Sequence, residues 1–207
     1  LYKKNINYDY DKVFKNLGIP ENKNILIYPA QFWAHKNHKY ITDIALYLKK
    51  KNINNIFFVF SGFDKGNLKF IKKIIDENQL NDFIKIFDYL EDLELVSLYL
   101  KCFGVIMPSL VGHSTIPMYE AFFFKKNIFY TKDLPDRSIS DFLNEIDVTQ
   151  VDSFINKFNE VINNKNINDK KLNEARVFFD KFCDEKKVAD NLRSVFKDYD
   201  YFRSTWS

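Results

Sequence analysis

Only two cysteines occur in the 207 residues, Cys102 and Cys183, far apart and in no CxxC pattern. That excludes a disulfide scaffold, and a reduced, cytoplasmic protein is the expectation. No apolar stretch approaches the ~20 residues that span a bilayer, and "FGVIMPSL" at 103–110 reads instead as a buried strand. Charge of one sign is not in excess either, with 31 basic against 28 acidic residues and a net charge of +3. A nucleic-acid binder needs a concentrated basic stripe. The run "LKKKN" at 48–52 is better read as the solvated end of a helix, where cations suit the dipole. The three histidines are too scattered to make a metal set. Internal repeats, low-complexity tracts and linkers are missing as well. The chain opens on Leu1 rather than Met, with no signal-peptide pattern, and is expected to be a piece of something longer.

What remains is an ordinary globular composition, 46% hydrophobic and 29% charged. Aromatics are abundant at 17%, with 22 Phe and 12 Tyr. Because Asn, Lys, Ile and Phe are used heavily throughout, as an AT-rich coding background produces, single Phe and Lys residues carry little weight as signals. From residue 24 onward, short β-rich runs alternate with helical ones. "NILIY" (24–28), "NIFFVFSG" (55–62), "FIKIFDYL" (83–90), "FGVIMPS" (103–109) and "NIFYT" (127–131) are near-continuously apolar, as strands buried on both faces of a parallel sheet are. "NEIDV" at 144–148 is a candidate short edge strand.

Between the strands, Ile41, Ile44, Ala45 and Leu48 share one helical face, and Leu68, Ile71, Ile74 and Ile75 another. "DLELVSLYLK" and "IPMYEAFFFK" supply two more helices. This order predicts an α/β fold, a Rossmann-like doubly wound parallel sheet built of right-handed βαβ units. After the core come C-terminal helices. One has its apolar stripe on Phe154, Ile155, Phe158, Val161 and Ile162. Two more follow over 168–200, one with Phe178, Phe179 and Phe182, the other with Val188, Leu192, Val195 and Phe196. The expected organisation is one domain over 1–207: 1–23 leading in, 24–150 as core, 151–207 as helices.

Ligands of open α/β sheets gather outside the carboxyl ends of the strands, and three such ends stand out. In "YPAQFWAHKNH" (28–38), Lys36 follows the first strand, near Gln31, His35 and His38. It is either a point charge for a phosphate or a solvated loop lysine. "SGFDKGN" (61–67) is neither a dinucleotide fingerprint nor a P-loop, and alone it reads as a turn before a helix. In "PSLVGHSTIPMYEAFFF" (108–124), Gly112 permits close backbone approach, Ser114 and Thr115 can cap a helix, and Pro117 suits its first turn. Glu120, placed in that first turn, either accepts hydrogen bonds from two neighbouring sugar hydroxyls or merely complements the helix dipole.

Together these stretches resemble the nucleotide-sugar-binding half of group 1 (family 4) glycosyltransferases over residues 8–136. Those are retaining enzymes of GT-B fold, and the closest look-alikes build bacterial surface polysaccharides. The resemblance implies that Lys36 contacts the donor diphosphate, with Gln31 where many members carry an assisting arginine. It implies that Glu120, the second glutamate of the family's E-x7-E motif, holds the ribose hydroxyls. Lys36 and Glu120 are thus the residues expected to carry catalysis. The first motif glutamate falls at Gly112, so backbone around Ser114, Thr115 and Ile116 is expected to bear more of the sugar contact. Ser61, Gly62 and Asp88 to Leu90, with Tyr89 between, fall where the family lines the nucleotide site. Phe32 and Trp33 are expected to pack beneath the lysine loop, and His35 and His38 to support it.

The implied partners are a nucleotide sugar and, through a preceding acceptor-binding domain, a glycan or lipid-linked acceptor. No metal or other cofactor is implied, and no nucleic acid. The implied location is the cytoplasm, with room for peripheral association at the inner face of its membrane. The transferred group is expected to be a hexose, and this chain alone is expected to transfer nothing. A GT-B epimerase of nucleotide sugars and a catalytically inactive binding module stand as alternatives.

Overall fold

The computed structural model describes residues 8–111, 116–132 and 137–206. Its centre is a parallel sheet of six strands: β1 Asn24–Pro29, β2 Ile56–Ser61, β3 Ile84–Phe87, β4 Gly104–Met107, β5 Asn127–Thr131 and β6 Asn144–Ile146. Their spatial order is β3-β2-β1-β4-β5-β6, all pairs parallel. The apolar runs are continuous because both sheet faces are covered. In β2 every residue from Ile56 to Phe60 is buried, and all four of β4 are. Each such aliphatic or aromatic side chain contributes roughly 1.5–3 kcal/mol on burial.

Helices α2 (His38–Lys50), α3 (Leu68–Glu77) and α6 (Val151–Asn163) pack together, while α1 (Tyr10–Asn16), α4 (Asp92–Lys101) and α5 (Ile116–Phe124) pack on one another. Two groups are what right-handed crossovers require when the chain first winds from β1 toward β3, then returns to wind from β4 toward β6. The α6 stripe closes the first group with rings: Phe154 meets Phe129 at 5.2 Å and Phe158 meets Phe103 at 5.2 Å. Helix α7 (Lys165–Phe182) reaches α5, where the Arg176 guanidinium donates to the Phe123 carbonyl at 2.6 Å.

One boundary differs from expectation. β3 stops at Phe87 rather than continuing to Leu90, because Glu94 accepts a hydrogen bond from the Glu91 amide at 2.8 Å and starts α4 there. The chain must turn away from the sheet just before. Leading into the core, residues 10–16 are a helix fastened to α4, with the Ser97 hydroxyl donating to the Tyr10 carbonyl at 2.7 Å.

The last helix, α8 (Glu185–Ser204), buries none of its residues. Leu192, Val195, Phe196, Tyr199 and Phe202 all lie more than half exposed along it. No helix among the described residues is long and apolar enough to cross a membrane.

Candidate functional site at the β1 and β4 strand ends

The winding reverses between β1 and β4, so the crevice outside their carboxyl ends is the topological switch point. Tyr28 of β1 is fully buried there, and its hydroxyl donates to the Lys36 carbonyl at 2.9 Å. A phenol has one proton, so Ser109, 3.1 Å away beyond β4, is the donor of the second bond. Burial raises the Tyr28 phenol above its ordinary range, which keeps that proton in place. The Leu110 amide donates to the His35 carbonyl at 2.8 Å. Through these bonds the loop after β1 and the loop after β4 are one braced unit.

Lys36 ends a short 3₁₀ turn, Ala34–Lys36, closed by Asn37 in the left-handed region at φ 55°, a conformation asparagine tolerates. The ammonium is half-buried, and burial alone lowers its pKa. Among the described residues it has neither an acceptor nor a carboxylate to meet. A desolvated, unmatched cation at a strand end is suited to an anionic ligand.

Beneath it, His38 opens α2 with its ring fully buried, stacked on Phe32 at 4.3 Å and set edge-on to Phe60 at 5.2 Å. Among the described residues neither ring nitrogen has a hydrogen-bond partner of good geometry, although the Ala30 carbonyl is near enough to offset part of the effect of burial. Burial lowers the pKa to about 3, and the Lys36 charge adds to that effect. The support expected of His38 is therefore apolar. Phe32 packs as expected, but Trp33 does not lie beneath the loop. It is 43% exposed, with its indole N–H donating to Gln31 Oε1 at 3.1 Å and Lys65 over its ring. That bond turns both Trp33 and Gln31 outward, and Gln31 is engaged with the indole rather than with Lys36.

The second strand end lies against the first. Gly62 follows Ser61, the last residue of β2, and its amide donates to the Phe87 carbonyl at 3.1 Å. A Cβ at Gly62 would stand 2.4 Å from the Ala30 oxygen, so only glycine lets the loops approach this closely. The Phe32 amide donates to the Phe63 carbonyl and the Asn67 amide to the Phe32 carbonyl. Asp64 caps the start of α3, accepting from the Leu68 and Gly66 amides, and those bonds lower its pKa. At the end of β3, Leu90 is buried while Tyr89 is exposed and stacks on Phe63 at 5.7 Å. Phe63 was not among the candidates. Its signal, an aromatic directly after a strand-end glycine, is visible in "SGFDKGN".

On the other side of the switch point, Ile116 opens α5 and is 71% exposed. Glu120 is not in the first turn of α5, which holds no acidic residue. It comes one turn later because the helix starts at Ile116. Dipole complementation fades past the first turn, so that reading of Glu120 weakens. Its Oε2 accepts a 2.7 Å hydrogen bond from the Tyr99 hydroxyl of α4. Gly112, Ser114 and Thr115 lie outside the described residues. The structure thus brings Lys36, Ser61, Gly62 and Tyr89 to the carboxyl ends of the strands, and places Glu120 on the helix that follows β4. No group of histidine, cysteine and acidic side chains among the described residues could hold a metal ion.

A groove of about 880 Å³ lies elsewhere, lined by Gly18, Lys23, Phe57, Lys72, Phe83 and Lys85 among others, and by none of the candidates above. It runs along the β3 edge toward the amino ends of β2 and β3. Its lysines are engaged: Lys23 donates to the Asp82 carbonyl at 2.8 Å, Lys85 to the Leu17 carbonyl at 2.6 Å, and Lys72 pairs with Asp88 at 3.7 Å.

The family model for glycosyl transferases group 1 matches residues 9–178. No curated protein matches the sequence. Among solved structures, a glycosyltransferase from Rickettsia africae superposes with a TM-score of 0.77 at 16% identity, covering 91% of this chain and 51% of that one. Anabaena HepE, solved in complex with UDP and glucose, gives 0.72 at 14% identity, with 90% and 52% covered. The C-terminal domain of a group 1 family protein, LpcC from Francisella tularensis, gives 0.68 at 17%, with 86% and 94% covered. The chain spans about half the length of the first two. At these identities the likeness concerns the fold, one Rossmann-like half of a GT-B architecture.

Proposed function

The chain belongs to the group 1 glycosyltransferases, and from that premise we propose that it is the donor-binding domain, over 1–207, of a retaining family 4 enzyme. The observation that carries this reading is the unmatched, half-buried Lys36 ammonium at the β1–β4 switch point. In the proposed complex Lys36 meets the diphosphate of a nucleotide sugar. Glu120 takes the ribose hydroxyls, and the loop ends at Ser61–Gly62 and Tyr89–Leu90 line the nucleoside. The HepE complex with UDP and glucose supports a nucleotide-sugar donor. Catalysis would be electrostatic: fixed donors stabilise the departing diphosphate while positive charge develops on the sugar carbon. Backbone groups around Gly112, Ser114, Thr115 and Ile116 would carry the sugar contact, and no metal enters the scheme.

The acceptor, a glycan or a lipid-linked one of bacterial surface-polysaccharide type, would be held by a preceding domain. The exposed apolar side chains of α8 offer a face for that domain to cover. A hexose as the transferred group, a cytoplasmic setting and peripheral association with its membrane complete the proposal. The epimerase alternative gains nothing from the likenesses found.

Thermal-shift and calorimetric titration of the 207-residue chain with UDP, GDP, ADP and their sugars is the direct test. One nucleoside diphosphate should raise the melting temperature, and no sugar should be transferred to any acceptor by this chain alone. Absence of binding to all three would overturn the reading, and robust transfer would overturn the two-domain part of it.

A further inference from the structure

Glu120 does not stand alone in its turn of α5. Its partner Tyr99 lies on α4, 21 residues earlier, and is fully buried. The Tyr99 ring stacks on Phe124 at 5.2 Å with 12° between the planes, which fixes the direction of the hydroxyl. Among the described residues two acceptors face that hydroxyl: Glu120 Oε2 at 2.7 Å and the Pro117 carbonyl at 3.5 Å. A single phenolic proton serves the nearer one, and a bond of that length to a carboxylate is of the strong, charge-assisted kind. Glutamate has three side-chain torsions, and on a helix surface they sample several rotamers. The bond from a ring that cannot swing restricts them to the set that keeps Oε2 on α4.

α4 also begins where the chain leaves β3. The Glu94 cap holds its first turn directly after Tyr89 and Leu90. One rigid helix therefore runs from the loop proposed to line the nucleoside to the residue that holds the carboxylate proposed to read its ribose. A buried tyrosine hydroxyl needs a partner, so Glu120 could equally stand there to satisfy Tyr99. The two roles differ in what they do to ligand choice.

We propose that Tyr99 is a positioning residue that presents Glu120 to the ribose hydroxyls and thereby sets the preference for ribo- over 2′-deoxyribonucleotides. The proposal rests on the donor-site reading above. Tyr99→Phe removes the hydroxyl and keeps the ring and its stack on Phe124. UDP, GDP, ADP and their 2′-deoxy counterparts are titrated into the wild-type chain, Tyr99→Phe, Glu120→Gln and the double variant. The melting temperature of each is also recorded without ligand.

In Tyr99→Phe the ribose preference should shrink about three- to tenfold, the scale of one hydrogen bond. Affinity for the deoxynucleotide, which keeps only the 3′ hydroxyl, should fall less than affinity for the ribonucleotide. The double variant should prefer ribose no less than Glu120→Gln alone, because Tyr99 acts only through Glu120. A lowered melting temperature with an intact ribose preference would overturn the proposal and leave Tyr99 a packing residue. Losses of preference that multiply in the double variant would overturn it too. A wild-type chain that binds no nucleoside diphosphate would instead remove the donor-site reading itself, and this proposal with it.

Discussion

The crevice at the β1–β4 switch point and the groove along the β3 edge both set lysine beside aromatic rings, and they differ in what the lysine does. In the groove, Lys23 and Lys85 spend their protons on backbone carbonyls and Lys72 sits by Asp88. In the crevice, Lys36 is held by its own carbonyl, through Tyr28, while its ammonium meets no described group. The groove's lysines therefore fasten chain segments together, and the crevice's lysine is fastened so that its charge is available. Unmatched charge at a braced strand end chooses the crevice, since desolvating a cation without a partner is costly and persists only where something else compensates.

The largest effect expected from testing this contrast is at Gly62. Gly62→Ala places a methyl 2.4 Å from the Ala30 oxygen and 2.8 Å from the Gln31 nitrogen, both backbone. Urea denaturation should show a loss of about 3 kcal/mol, the upper end of overpacking costs. Gly18, at the rim of the groove, has φ +60° but faces only the flexible end of Lys85 at 3.1 Å. Gly18→Ala should cost about 1–2 kcal/mol, the price of a left-handed alanine. Equal losses would mean that the crevice floor is no more rigid than the groove rim.

Next comes the charge itself. Lys36→Ala should weaken nucleoside diphosphate binding by about 1.5–3 kcal/mol, the scale of a hydrogen bond to a charged group. Binding of the bare nucleoside should barely move. Equal losses for both ligands would mean that Lys36 shapes the loop rather than contacting the diphosphate.

A comparable effect, confined to acid, is expected from His38. Its folded pKa is about 3 against an ordinary 6.5. Above pH 6.5 the ring is neutral in both folded and unfolded chains and contributes no slope. Between about 6.5 and 3 the unfolded chain takes up a proton that the folded one refuses. Stability therefore falls with falling pH, by about 1.4 kcal/mol per unit. His38→Phe abolishes that term. Its stability relative to wild type should rise by about 2 kcal/mol on going from pH 7 to pH 5, read from urea midpoints. A parallel pair of stability curves would mean that the ring finds a proton acceptor when charged.

How much of this could be read from the residues alone follows from how local each cause is. The β strands were legible because burial on both faces writes an apolar run directly into the chain. Lys36 and Glu120 could be singled out because their motifs are contiguous. Gly62 read as a turn glycine, since the reason for it is the Ala30 carbonyl on another loop. Tyr99 was not singled out, because its partner is on the next helix. Trp33 was misplaced for a similar reason: an aromatic after a strand reads as packing, and only its bond to Gln31 shows that it turns outward. Glu120 was placed one turn too early, since it stands four residues after Ile116, the first described residue of α5.

The smallest expected effect is in the groove. Lys85 reaches across from the edge strand β3 to the Leu17 carbonyl at 2.6 Å and the Gly18 carbonyl at 3.3 Å, closing the segment after α1 onto the sheet. A lysine on an edge strand also discourages pairing with a second sheet. Lys85→Ala should cost about 1 kcal/mol of stability, the net worth of one such bond to a charged donor when water can replace the partner. Affinity for a nucleoside diphosphate should not change, because the lost ammonium is at the β3 edge, two strands from β1 and bonded to the segment after α1. A fall in affinity matching that of Lys36→Ala, with the fold intact, would break the contrast. The groove would then be the anion site, and the unmatched charge in the crevice would need another explanation.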